Sequence, residues 1–133
     1  MHRLRSGSAD RGAAAVEFAL LLPILLLIVF GIVDFGRAYN AQVTLTQAAR
    51  EGVRLAALNQ PNVVSRTQSA AYPLTGVSVS VTACTPGSTA DAVVRTTYSF
   101  SFVTPVGVIA GLFGHSFGGP ITLTGQGVMR CQG

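Results

Sequence analysis

The chain has no tryptophan and no lysine, and among its 133 residues there are only two histidines and five acids. Each shortage removes a class of function. The nine basic residues are all arginine. Arg3, Arg5 and Arg11 sit at the N-terminus, Arg37, Arg50 and Arg54 are spread along a stretch with helical spacing, and the other three stand alone. The formal net charge of +4 therefore does not gather into the dense basic patch, interleaved with aromatics, that a nucleic-acid surface needs. No nucleic-acid partner is expected. His2 lies near the N-terminus and His115 in a glycine-rich run, and Asp91 is the sole acid beyond residue 58. A general acid–base pair or a metal site cannot be assembled from so few groups. There is no phosphate-binding loop and no internal repeat. Catalytic residues, metal ligands, cofactors and a small-molecule substrate are thus not expected.

Only two cysteines are present, Cys84 and Cys131, both in the C-terminal half. Neither forms a CxxC pair or has histidine at metal-ligand spacing. If this half is exported, the oxidising compartment favours one Cys84–Cys131 disulfide, with two unpaired thiols as the alternative.

What the chain does have is a long apolar run. Residues 1–12, MHRLRSGSADRG, form a short, polar, basic leader. Ala13 to Val33 then reads AAAVEFALLLPILLLIVFGIV, interrupted only by Glu17, Pro23 and Gly31. As a helix rising 1.5 Å per residue this run spans roughly 30 Å, the thickness of a bilayer core. Arginines before it, with no comparable cluster directly after it, place the N-terminus in the cytoplasm and the rest of the chain outside. A cleaved signal peptide has a shorter apolar region ending at a small-x-small site, whereas Asp34-Phe35-Gly36-Arg37 follows here. A buried core helix is disfavoured because the segment is apolar on every face. A single-pass membrane helix over 13–33 is the expectation, with a kink at Pro23, whose missing N–H removes one helical hydrogen bond.

Glu17 is the anomaly in this run. A carboxyl group within a membrane helix is costly unless it is neutral, close to the headgroups or paired. One reading leaves it at the cytoplasmic interface with no role. In the other, cleavage between Gly12 and Ala13 frees an α-amino group one helical turn from Glu17. Amine and carboxylate then neutralise each other within one chain or between neighbours.

The run Gly12 to Phe18, GAAAVEF, resembles the processing site of type IV pilin-like proteins. The wider stretch from Arg11 to Arg54 is more specific and resembles the TadE-like family, minor pilins or pseudopilins of the Tad/Flp tight-adherence machinery. The features that carry the likeness are Arg11-Gly12, Ala15-Val16-Glu17-Phe18-Ala19, Leu22-Pro23, Gly31-Ile32-Val33-Asp34-Phe35-Gly36-Arg37 and Ala48-Ala49-Arg50-Glu51-Gly52. Thr97-Tyr98-Ser99-Phe100-Ser101-Phe102, Thr104-Pro105 and ITLTGQGVMR fit more loosely. The resemblance implies a structural or assembly role: processing by a prepilin peptidase at Gly12 and Ala13, then assembly and register through Glu17 and Phe18. Its implied partners are the peptidase, other pilins or pseudopilins and the pilus assembly platform. Its implied location is the bacterial inner membrane, with possible incorporation in a surface pilus.

Beyond the membrane run, residues 34–58 continue with helical spacing. Ala41, Leu45, Ala48, Ala49, Gly52, Val53 and Ala56 form one stripe of mostly small residues, which lets another backbone approach closely. Asn59-Gln60-Pro61 predicts its end and a second, shorter helix around 61–72. Three strands are expected, in GVSVSVTAC, ADAVVRTTYSFSFVT and PITLTGQGVMRC, the first two joined as a hairpin through Thr85-Pro86-Gly87-Ser88. Residues 105–119, PVGVIAGLFGHSFGG, are apolar and aperiodic, either a cover for the helix stripe or a partner contact. The expected fold class is α+β: a long N-terminal membrane-spanning helix continuing into a small extracytoplasmic domain, 59–133, with a short helix and a small antiparallel sheet of about three strands. Against the pilin-like reading stands an uncleaved single-pass protein whose outer domain binds an envelope or cell-wall partner.

Overall fold

The computed structural model describes residues 7–85, 87, 89–104 and 119–131. Its elements, in chain order, are α1 (Gly7–Ala57), α2 (Val63–Ala70), β1 (Ser78–Thr82), β2 (Asp91–Phe100) and β3 (Ile121–Arg130). The α+β class, the long apolar helix, the short helix and the three-stranded antiparallel sheet expected from the sequence are all present.

Helix α1 has 51 residues and so extends about 75 Å at 1.5 Å per residue. It begins at Gly7, six residues before the expected start at Ala13, so Gly12–Ala13 lies inside its frame. It runs unbroken through Pro23, whose nitrogen cannot donate to the Ala19 carbonyl. Its end is well defined. Asn59 adopts φ of 50°, its N–H donates to the Ala56 carbonyl, and the Gln60 N–H reaches back to Leu55 at 3.0 Å. That pair of bonds is a Schellman cap, with asparagine in the left-handed position that glycine more often fills.

The second helix is shorter than the expected 61–72. Asn62 at φ of 64° cannot be helical and delays its start to Val63. Pro73 disfavours helical geometry at Tyr72 and so limits its other end. Gln68 Nε2 donates to the Val77 carbonyl at 3.1 Å and ties α2 to the residue that leads into β1.

The sheet order is β1-β2-β3, both pairs antiparallel, with Val81 opposite Val94, Val94 opposite Gly127 and Thr96 opposite Gly125. The strands are narrower than the alternating runs. Ala83 falls outside β1 and is exposed. Phe102 falls outside β2, because the chain leaves the sheet after Phe100 to reach the Asp34 carboxylate. Of the linking turn, Pro86 and Ser88 lie outside the described residues, and Gly87 has φ of 77°.

The core lies between α1 and the sheet. All seven stripe residues from Ala41 to Ala56 are buried. Leu45 packs with Ala48, Ala71 and Val77, while Val53, Ala56 and Ala57 pack with Ala92 and Val94. Burying Leu45 and Val53 contributes about 1.5–3 kcal/mol each. The alanines contribute less, and their use is proximity. A Cβ on Gly125 would lie 2.5 Å from the Leu45 carbonyl oxygen, and one on Gly127 would lie 2.5 Å from that of Ala49. The β3 backbone therefore rests directly on the helix backbone. Thr96, fully buried, completes this seam by donating Oγ1 to the Leu45 carbonyl at 3.1 Å.

Cys84 and Cys131 form a disulfide that joins the segment after β1 to the end of β3 across 47 residues. In the chain-entropy account a loop of that length is worth about 4 kcal/mol. Two outcomes are expected in denaturant titration of the detergent-solubilised chain. Gly127→Ala should lower stability by about 1–3 kcal/mol through overpacking. Gly119→Ala, with open space around it, should stay within about 0.5 kcal/mol of the parent. Equal effects of the two substitutions would refute the close backbone seam.

Candidate functional site

The residues that the sequence marks for processing and assembly sit on a bare arm. From Arg11 to Leu26 every side chain is exposed, including Glu17, Phe18 and Pro23. Helix α1 is long and apolar enough to cross a membrane, and its best apolar window has a mean hydropathy of 2.8 and holds no buried residue. A soluble core helix would be covered instead. Removal as a signal sequence is also hard to reconcile with the geometry, because the same helix continues without a break into the core at Ala41–Ala57. Among the described residues Glu17 forms no ion pair or hydrogen bond. The Ala13 nitrogen is a peptide nitrogen in the intact chain, so the amine proposed to meet Glu17 exists only after a cut. Gly12 and Ala13 are both exposed, and no atom would crowd a Cβ at Gly12.

Directly after the apolar run the structure assembles a cluster that sequence reasoning missed. Asp34 is buried although it is charged. Its carboxylate accepts from the Val103 N–H at 3.3 Å, the Thr104 N–H at 3.2 Å, the Thr104 hydroxyl and the Arg37 guanidinium at 3.3 Å. Arg37, one helical turn on, also lies 5.3 Å from the centroid of the Phe100 ring, a cation–π arrangement. Phe100 in turn meets Phe102 edge to face at 5.6 Å. The cluster thus staples the chain leaving β2 onto α1. The available signal was an aspartate three residues before an arginine at the end of the apolar run. Asp34-Phe35-Gly36-Arg37 and Thr104-Pro105 are separate features of the sequence, and only the fold shows that Asp34 and Thr104 touch.

The Thr104 hydroxyl is the main cause that holds the Asp34 carboxyl below its ordinary value of 3.8. Burial pushes the other way. The Val103 and Thr104 amides and the Arg37 charge add to the lowering. The folded pKa is below the unfolded one, so the staple contributes its full stability above the ordinary carboxylate range. That contribution is lost as pH falls through the lowered value.

Two shallow grooves flank α1 at this level. One, of about 460 Å³, lies between Gly31, Phe35, Ala38 and Tyr39 of the helix and Ile121 and Leu123 of β3. The other, of about 410 Å³, lies between Ile32, Gly36 and Asn40 and the Pro73-Leu74 segment with Tyr98. Neither gathers reactive groups, and no cluster of three or more metal-ligating side chains occurs among the described residues. The candidate partner contact over 105–119 lies, apart from Gly119, outside the described residues.

A chain with one exposed apolar helical arm, continuous with the core helix of a small α+β domain, is built to be held by a membrane or by other helices. Residues 12–54 match the family model described as TadE-like protein, so that segment is similar to TadE-like proteins. The match spans both the exposed arm and the stripe that packs on the sheet. This family is pilus-associated and is not an enzyme family. No curated protein and no solved structure matches the chain.

The Asp34 staple is open to a direct check. Amide ¹H shifts of Val103 and Thr104 should titrate together with a midpoint below 3.8, and Asp34→Asn should abolish that titration. A midpoint above that value, or one that survives the substitution, would remove the charge from the account.

Proposed function

We propose that the chain is a minor pilin-like subunit of a Tad/Flp pilus or related secretion machine. In this reading a prepilin peptidase processes it between Gly12 and Ala13, and it assembles through its N-terminal helix. The observation that carries the reading is the bare apolar arm: residues 12–26 are all exposed in their own chain yet lie within the TadE-like segment. The membrane holds the arm before assembly, with the N-terminus in the cytoplasm and the domain beyond Asp34 on the outer side of the inner membrane. Packing of this arm against equivalent arms replaces lipid contacts with helix contacts. A new Ala13 amine meeting a Glu17 carboxylate of a neighbouring subunit would be an ion pair that fixes axial register, the best-attested use of a buried pair.

The helical frame at Gly12–Ala13 adds a requirement. A peptidase needs the scissile bond extended, so the first turn or two of α1 must unwind. Gly7, Ser8, Asp10 and Gly12 are weak helix formers, which lowers that cost. The same unbroken helix is what an uncleaved anchor would show, and this keeps the bitopic binding protein as the competing reading.

Mass spectrometry of the protein isolated from its native host separates the two. The expected N-terminus is Ala13; a chain that retains Met1, or one that begins at Ala38, sinks the processing step. In the same host, Glu17→Ala should leave membrane insertion intact and impair pilus assembly. Normal piliation by that variant would rule out the register role.

A further inference from the structure

We infer that the end of the domain nearest the arm is itself a lipid-binding surface, seated in the headgroup–acyl boundary of the outer leaflet; the inference rests on the reading of Ala13–Val33 as a membrane span. The domain is bonded to α1 already at Asp34, one residue beyond that span, so no stalk separates the two. A body wider than its helix, attached at that level, must meet the bilayer surface around the helix.

The side chains there suit the boundary. Phe35 is 74% exposed and continues the apolar surface of the arm past its end. Val103, whose N–H is fixed to Asp34, is 73% exposed. Tyr72 is 82% exposed and precedes Pro73, which lines a groove together with Ile32 and Gly36 of the helix. Tyr39 and Ile121 line the groove that runs from Gly31 up to Leu123, so the apolar surface of the arm passes onto the sheet without a polar break. Large exposed apolar groups on several sides of one helix level would be a liability in water. Tyrosine and phenylalanine at a bilayer boundary are instead favoured, because their rings lie among headgroups and upper acyl carbons. Charge is arranged to match. Asp34 turns its carboxylate inward to four donors, so this end presents no free acid from that position to the lipid phosphates. Arg37 keeps about half of its side chain exposed, 47%, with its stem over the same end, and can reach a phosphate. The opposite end of the domain, near Thr82 and Cys131, packs on Val53–Ala57, roughly 30 Å further along the helix axis.

The absence of tryptophan makes the test clean. Four full-length single-tryptophan variants, Leu25→Trp, Tyr72→Trp, Val103→Trp and Thr82→Trp, are reconstituted at high lipid-to-protein ratio in phosphatidylcholine–phosphatidylglycerol vesicles. Lipids brominated at shallow or deep acyl positions serve as quenchers, with iodide in the aqueous phase. Positions 72 and 103 should lose fluorescence to shallow bromines and show blue-shifted emission, position 82 should respond only to iodide, and position 25 should respond to deep bromines. If positions 72 and 103 behave like 82 while 25 is quenched by deep bromines, the lipid surface is refuted and the span stands. Shielding of 72 and 103 from both quenchers means that another copy covers this end, which also refutes it. Loss of deep quenching at position 25 overturns the span reading itself.

Discussion

The close approach of two backbones, α1 and β3, is the constraint from which the rest of the domain follows. Helix and sheet normally keep a layer of side chains between them. Here Gly125 and Gly127 offer none, and a methyl group at either site would collide with a helix carbonyl. The helix answers with Ala48, Ala49 and Gly52, and the buried Thr96 hydroxyl uses the Leu45 carbonyl as an acceptor. A Cβ at Gly52 would strike the Thr67 side chain, so the same rule governs the contact with α2. Among the described residues few large apolar side chains are buried, and the domain relies on proximity, a satisfied hydrogen-bond seam and one disulfide. A small domain with so thin a core is expected to need such a staple.

Much of this is legible in the sequence, and what is not has a physical reason. The stripe from Ala41 to Ala56 follows from helical period alone, and the alternation in SVSVT and VVRTTYSF identifies strands because side chains in a strand point to opposite faces. The role of the β3 glycines is not legible. A glycine within a strand reads as a weakness until the partner backbone that needs the space is known. Element ends fare worst. Local tertiary bonds set them: Asp34 draws the chain off β2 after Phe100, and left-handed Asn62 shortens α2. The Asp34–Arg37 pair was visible as two letters three apart. Its third member, Thr104, is 70 residues away, and no spacing rule reaches that far.

The candidate site divides in the same way. Gly12, Glu17 and Phe18 were found by motif, and the structure shows them exposed with nothing of their own chain to act on. Their proposed roles therefore belong to intermolecular states, in which the neighbour supplies the missing surface. Asp34, Arg37 and Phe100 were found by structure, and their partners are all internal. In the proposed reading the first group concerns what the protein does with others, and the second concerns how the domain is fixed to its helix.

That fixation bears on assembly. A domain joined to its anchor by a flexible linker reports little about the tilt or rotation of the helix. In this chain the helix that leaves the arm is the one that fills the core, and the domain is already bonded to it at Asp34. Rotation of the arm about its axis must carry the sheet with it, because slipping would break the three hydrogen bonds from Val103 and Thr104 to the carboxylate and force Gly125 and Gly127 off their helix carbonyls. Where the arms of several subunits pack together, the azimuth of each outer domain is then set by the helix faces in contact. A short helical repeat in the arm is thereby sufficient to order surfaces tens of ångströms away, and no direct contact between the domains is required.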